Sequence, residues 1–211
     1  MNWDIREDAA GYWKAEWCEL IDAPPMSTVK RVRAWDISGS IPSELNPNPD
    51  WTAGVLMSKD KNNQKYIEDV VRDRRRHGGV FDLILETAKR DGHDTLIVVP
   101  CDPGAAGKAY AAQIIRDLAD HGFYARMKQT NQSKVNRFAP VCADSEAGNV
   151  KIVKGDWNDV FISELEGFDG SRKVKDDQVD GCSDAYFFLS TSIKIPIFMP
   201  PDMTAANPFN F

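Results

Sequence analysis

The chain has 211 residues, of which 42% are hydrophobic and 27% charged, and a formal net charge of −6. That is enough chain for one domain with a sizeable core, and no apolar run approaches the roughly 20 residues that a membrane span requires. The negative balance argues against a protein that holds DNA by electrostatics alone, and the polar, acidic start from Met1 to Ala10 argues against a secretory signal.

Residues 1–27 read as an irregular connector, with Trp3, Tyr12, Trp13 and Trp17 spaced for one short packed helix before the breaker Pro24-Pro25. From Val29 to Ile37 (VKRVRAWDI) apolar and polar residues roughly alternate, which predicts a half-buried strand; a Pro/Asn/Ser-rich loop follows. Trp51 to Met57 and Lys65 to Arg72 flank the polar turn KDKNNQ as a hairpin would, so three antiparallel strands come first. After Gly78-Gly79, the positions of Val80, Leu83, Ile84, Thr87 and Ala88 follow a helical period that stops at Gly92. The run from Asp94 to Pro100 is nearly all apolar or β-branched and predicts a central parallel strand. A helix over about Gly104 to Asp120 leads to the strand FYARMKQ, then a basic loop, the strand NVKIV, the helix WNDVFISELEGF and a last helix opening at Asp176-Asp177. The Pro-rich stretch IPIFMPPDMTAANPFNF has no period, so residues 193–211 are expected to form an extended tail.

A meander of three strands followed by alternating helices and buried strands predicts an α/β protein with a mixed sheet flanked by helices, three antiparallel strands coming first and parallel strands after them. This is the strand order of the ribonuclease H-like fold, placed here in a domain over residues 28–192. In that fold the first and fourth strands are neighbours at the centre of the sheet.

The aspartates carry the chemistry. Asp36 lies in the otherwise apolar strand segment Ala34-Trp35-Asp36-Ile37, where a carboxylate is costly unless it is paired or bound to a metal. Asp102 follows the buried strand LIVVPC at its carboxyl end, the edge at which open α/β sheets place ligands. Asp177 and Asp180 are three residues apart on a helix, hence on one face, and Asp184 extends that face by a turn. Each of the later acids has a structural alternative, since Asp176-Asp177 would serve as helix caps and Asp102-Pro-Gly would open a turn. An all-carboxylate set suits hard cations, Mg²⁺ or Mn²⁺, and can hold two of them roughly 4 Å apart for hydrolysis at phosphorus. Zinc is disfavoured, because Cys18, Cys101, Cys142 and Cys182 form no CxxC pair and read as reduced cytosolic thiols. His77, His93 and His121 each adjoin a glycine in polar turns and read as surface residues.

Two basic clusters stand out: Arg72, Arg74, Arg75 and Arg76, and Arg126, Lys128, Lys134 and Arg137. Each is either a phosphate-facing patch or a solvated face. The Gly104-Ala-Ala-Gly107-Lys108 turn lacks P-loop spacing; its glycines suit close packing of helix on strand, and Lys108 could touch a phosphate.

These residues resemble the carboxy-terminal nuclease domain of tailed-bacteriophage terminase large subunits over about Val32 to Leu189. Arg33-Ala34-Trp35-Asp36-Ile37 is similar to that family's first motif, Asp50-Trp51-Thr52 opens its second strand, and Val99-Pro100-Cys101-Asp102-Pro103-Gly104 is similar to its second acidic motif. Asp176-Asp177-Gln178-Val179-Asp180-Gly181 resembles the closing DDxxDA, preceded by Trp157, Phe161, Glu164-Leu165 and Phe168 as in WxxxFxxELxxF. Lys134 and Arg137 resemble the basic pair of a DKxxRA loop, with Ser133 in place of the acid, and Gly181 stands where alanine is usual.

The resemblance implies an endonuclease that cuts concatemeric double-stranded DNA with two Mg²⁺ or Mn²⁺ ions. Its catalytic acids would be Asp36, Asp102 and Asp180, with Asp177 as a further metal ligand, and Lys134, Arg137, Lys108, Arg74 and Arg75 would face DNA. It also implies a portal protein and a small terminase subunit as partners, viral assembly in the host cytoplasm, and a separate ATPase to which residues 1–27 would be the linker; the chain has no Walker motif. The competing expectations are a stand-alone resolvase-like nuclease of the same fold and a non-catalytic portal or DNA docking module.

Overall fold

A computed structural model describes residues 12–129, 131–171 and 174–191. Its centre is a seven-stranded sheet: β1 (Glu19–Ile21), β2 (Thr28–Asp36), β3 (Thr52–Asp60), β4 (Lys65–Asp73), β5 (Thr95–Cys101), β6 (Ala125–Gln129) and β7 (Val150–Val153), in the order β1-β7-β4-β3-β2-β5-β6. The meander β2–β3–β4 is antiparallel; β2 pairs with β5, β5 with β6, β4 with β7 and β1 with β7, all in parallel. The expected adjacency of the first and fourth predicted strands is therefore present as β2 beside β5.

Alternation along β2 sorts side chains between two cores. Val32 and Ala34 join the core under α3 (Lys134–Glu146), α4 (Asn158–Gly167) and α5 (Asp177–Ser190). Trp35 joins the opposite core, under α1 (His77–Asp91) and α2 (Ala105–Asp120). Arg33 points the same way as Trp35 and is fully buried. Its guanidinium forms a two-pronged pair with Asp91 at 2.7 and 2.8 Å and donates to the Gly54 carbonyl at 2.9 Å, so its charge is matched within the core.

Two elements depart from the sequence expectation. The segment taken for a basic loop after β6 is the helix α3, which buries Phe138, Val141 and Cys142 and starts where the Ser133 hydroxyl accepts from the Asn136 amide at 3.3 Å. Pro140 lies inside it and reads as a breaker because it removes one helical N–H; burial of the apolar face outweighs that loss. The stretch taken for a connector also enters the body of the domain from residue 13 onward: Trp13 is buried and donates to the Ser145 hydroxyl at 2.9 Å, and β1 extends the sheet. The expected tail from residue 193 lies outside the described residues.

Candidate metal centre

The carboxyl ends of β2 and β5 open on a cavity of about 160 Å³ whose acids are Asp36, Asp102, Asp180 and Asp184. Asp36 is the last residue of β2 and pairs with Ala53 on β3, while parallel pairing of Ala34 with Val98 carries Asp102 just past the same edge. Asp36 shares the parity of Ala34, so it faces α5. Glycines permit the approach of the two helices. A Cβ at Gly107 would stand 2.5 Å from the Asp102 carbonyl oxygen, and one at Gly181 would stand 3.1 Å from Val55 and 3.3 Å from the Ala34 carbonyl. Close packing of α2 on the end of β5 is thus what Gly107 provides.

The carboxylates differ in their partners. Asp36 has no hydrogen bond or ion pair to its carboxylate among the described residues, and burial, followed by the charges of Asp180 and Asp177, holds its pKa well above the ordinary carboxylate range. Asp180 is held by Arg137 and by Lys134 at 2.9 Å, and Lys134 also reaches Asp176 at 2.6 Å. Asp184 is 3.3 Å from Arg137 and 3.9 Å from Lys128; burial raises its pKa despite those two cations. Burial lowers the pKa of Lys128, whereas at Lys134 burial is outweighed by Asp176 and Asp180 and the pKa rises. Asp102 is exposed at the mouth.

Asp36, Asp102 and Asp180 therefore line one cavity, and Asp177 does not. Asp177 turns toward Trp51, whose backbone amide it accepts; burial, then the charges of Glu164 and Asp50, raises its pKa to about 6. Its second oxygen, Oδ2, is buried without a hydrogen-bond partner among the described residues. The acid that joins Asp180 at the cavity is Asp184, four residues on and so on the next turn of the same face. Asp177 and Asp184 are two turns, about 10 Å, apart along the axis. The (i, i+4) spacing was visible in the sequence; what could not be seen was which end of α5 lies over β2.

The basic residues divide in the same way. Arg137 and Lys128 line the cavity, and Lys134 reaches it through Asp180. Lys108 is exposed in the first turn of α2. Arg74 stacks 3.8 Å over Trp51 and donates to the Pro49 carbonyl at 2.6 Å, while Arg75 pairs with Asp73 at 2.8 Å. The pairings Asp36 with Ala53 and Ala53 with Arg72 set this second group two strands, roughly 10 Å, from Asp36 along one sheet edge.

The WxxxFxxELxxF residues act as a brace. Trp157 meets Phe161 edge to face at 5.4 Å, Phe168 meets Phe138 in the same way at 5.4 Å, and Glu164 accepts the Gln178 amide at 2.6 Å. A carboxylate on free amides at a helix start satisfies donors that have no helical partner, so Glu164 anchors the end of α5 that carries Asp180.

The donor set fits a hard divalent cation. Four carboxylates and no imidazole surround the cavity, and the unpartnered, mutually repelling Asp36 gains most from added positive charge. As the side chains stand, no group of three acidic, histidine or cysteine side chains among the described residues is close enough to share one ion, and Asp180 is engaged by Arg137 and Lys134.

Comparison with curated protein sequences gives no match. Among solved structures, the chain is similar to the human cytomegalovirus terminase nuclease domain, soaked with Mn and bound to an inhibitor, with a TM-score of 0.62 and 11% identity over 84% of this chain and 95% of that one. It is similar to the large terminase nuclease domain of Thermus phage P74-26, with a TM-score of 0.56 and 13% identity over 86% and 96% of the two chains. It is also similar to the large terminase nuclease of thermophilic phage G20c with bound zinc, with a TM-score of 0.52 and 16% identity over 82% and 94%. At such identities the likeness speaks for the fold, which is the mixed-sheet, ribonuclease H-like one. The family model of the terminase RNaseH-like domain matches residues 33–188, and this chain belongs to that family.

Proposed function

We propose that this domain is the metal-dependent endonuclease of a viral DNA-packaging terminase and hydrolyses phosphodiester bonds of concatemeric double-stranded DNA. The observation that carries the reading is that Asp36, Asp102 and Asp180, from three separate elements, line one cavity. Asp36, Asp102 and Asp180 would hold Mg²⁺ or Mn²⁺, with Asp184 beside them. Two such ions, when bound, would activate a water and stabilise the leaving oxygen. Mn, zinc and cobalt are named with the solved nucleases this chain resembles, which supports a divalent metal here.

The chain's own residues do the rest. Parallel pairing of β2 with β5 sets Asp36 at the end of one strand and Asp102 just past the end of the other. Arg137 and Lys128 set positive charge at the cavity where a phosphate would enter, and Lys134, Lys108, Arg74 and Arg75 would extend that contact along the sheet edge. Among the described residues, no imidazole or hydroxyl lines the cavity. Under this reading the work is done in the host cytoplasm beside an ATPase, a portal protein and a small terminase subunit.

A docking module without catalysis is the second reading, favoured by the pairing of Asp180 with Lys134 and Arg137. Calorimetric titration with Mn²⁺ separates the two. The nuclease reading expects saturable heat that Asp36→Asn reduces strongly, and no heat at millimolar metal selects the docking module.

A further inference from the structure

A second cavity, of about 330 Å³, opens between α3 and α5 and shares Lys128, Arg137 and Asp184 with the carboxylate cavity. Its walls include Pro140 and Phe187, with the amide side chains of Gln132 and Asn136. Phe187 is 48% exposed, and the Lys128 ammonium lies 3.4 Å from the centre of its ring. We propose that this groove is a subsite for one unpaired nucleotide base of the DNA strand whose phosphate enters the carboxylate cavity, an inference that deepens the nuclease reading.

Three observations select that occupant. Phe187 is half exposed with the Lys128 ammonium over one face of its ring, and the ring surface left to solvent is a stacking platform for any base; such stacking typically contributes about 1–3 kcal/mol. Lys128 and Arg137 stand with Asp184 on the boundary of the two cavities, two cations to one carboxylate, where the phosphate belonging to that base would pass; the excess positive charge suits a nucleotide rather than a plain apolar side chain. Gln132 and Asn136 offer both donors and acceptors to a base edge, and Pro140 has no N–H for the Asn136 carbonyl, leaving that acceptor without its helical partner. A base stacked in a duplex cannot reach such a groove, so the strand must arrive melted or distorted, which costs a few kcal/mol in intact duplex and little where pairing is already lost. Frayed, gapped or single-stranded DNA is then the preferred form.

The test is binding of a short single-stranded oligonucleotide carrying 2-aminopurine, in Ca²⁺, to the parent, Phe187→Ala and Phe187→Tyr. Stacking on Phe187 quenches the probe in the parent; Phe187→Ala weakens binding about fivefold or more and loses the quench, and Phe187→Tyr keeps both. Equal affinity and equal quenching in Phe187→Ala overturn the subsite, as does a parent that does not bind the oligonucleotide. Plasmid cleavage in Mn²⁺ is scored separately. A parent that cuts plasmid while Phe187→Ala still binds and quenches loses the subsite and keeps the nuclease; a parent that never cuts but binds through Phe187 loses the nuclease and keeps the subsite.

Discussion

Asp36, half-buried at the end of β2, and Asp177, buried in the first turn of α5, both have raised pKa values, and their surroundings give them different work. Asp36 faces a cavity shared with Asp102 and Asp180, whereas Asp177 accepts a backbone amide and leaves one oxygen unpartnered beside Glu164. A carboxyl whose folded pKa is raised stabilises the fold when protonated. That contribution is complete below the ordinary value of 3.8 and is lost as the pH rises through about 6. Replacing Asp177 by Asn keeps the shape and removes the titration, so thermal melts should show Asp177→Asn gaining on the parent by about 3 kcal/mol between acid and neutral pH. Mn²⁺ heat should be retained in that variant, and its loss would return Asp177 to the ligand set. Lys134 offers a second test at this scale, since it holds Asp180 and Asp176 with a positive charge that a metal ion would compete with. Lys134→Ala should bind Mn²⁺ several-fold more tightly by calorimetry; unchanged or weaker binding would mean that the metal does not use Asp180. The sequence showed that Asp36 needed a partner, because its neighbours are apolar. It could not show which acids of α5 would join it at the cavity, because helical spacing groups Asp177, Asp180 and Asp184 on one face without saying which turn meets the sheet.

At the scale of elements, periodicity found the strands and helices whose patterns are regular and missed α3 and β1. Pro140 interrupts the helical signal of α3 at the level of one hydrogen bond, while the burial that decides the matter comes from the sheet and α5, which local pattern cannot see. β1 is three residues long and exposed, so its only strand signature is the register with β7. Glycines carry information about how elements meet. Gly107 is needed because α2 starts against the Asp102 backbone, and a methyl group there must push that turn away. Gly107→Ala should therefore weaken Mn²⁺ binding about tenfold while moving the melting temperature little, the pattern of a shifted ligand rather than a lost core. A large loss of stability with metal affinity intact would show that Gly107 serves packing alone.

For the molecule as a whole, the order of elements was legible because three antiparallel strands before a buried parallel strand leave few arrangements of the sheet. The acidic balance, a net charge of −6, coexists with a basic rim made of Lys128, Lys134 and Arg137 on one side of Asp36 and Arg72 and Arg74 on the other. The domain should accordingly bind DNA weakly and in a strongly salt-dependent way by itself, with added divalent ions improving binding by neutralising the cavity acids. The most direct measurement is conversion of supercoiled plasmid in Mg²⁺ and in Mn²⁺ by the parent domain, with Asp36→Asn and Asp102→Asn beside it. The account predicts nicked and linear DNA from the parent in at least one metal, and rates at least about a hundredfold lower from both variants. A parent that leaves the plasmid intact in both metals, or an Asp36→Asn variant that cuts as fast as the parent, would contradict it.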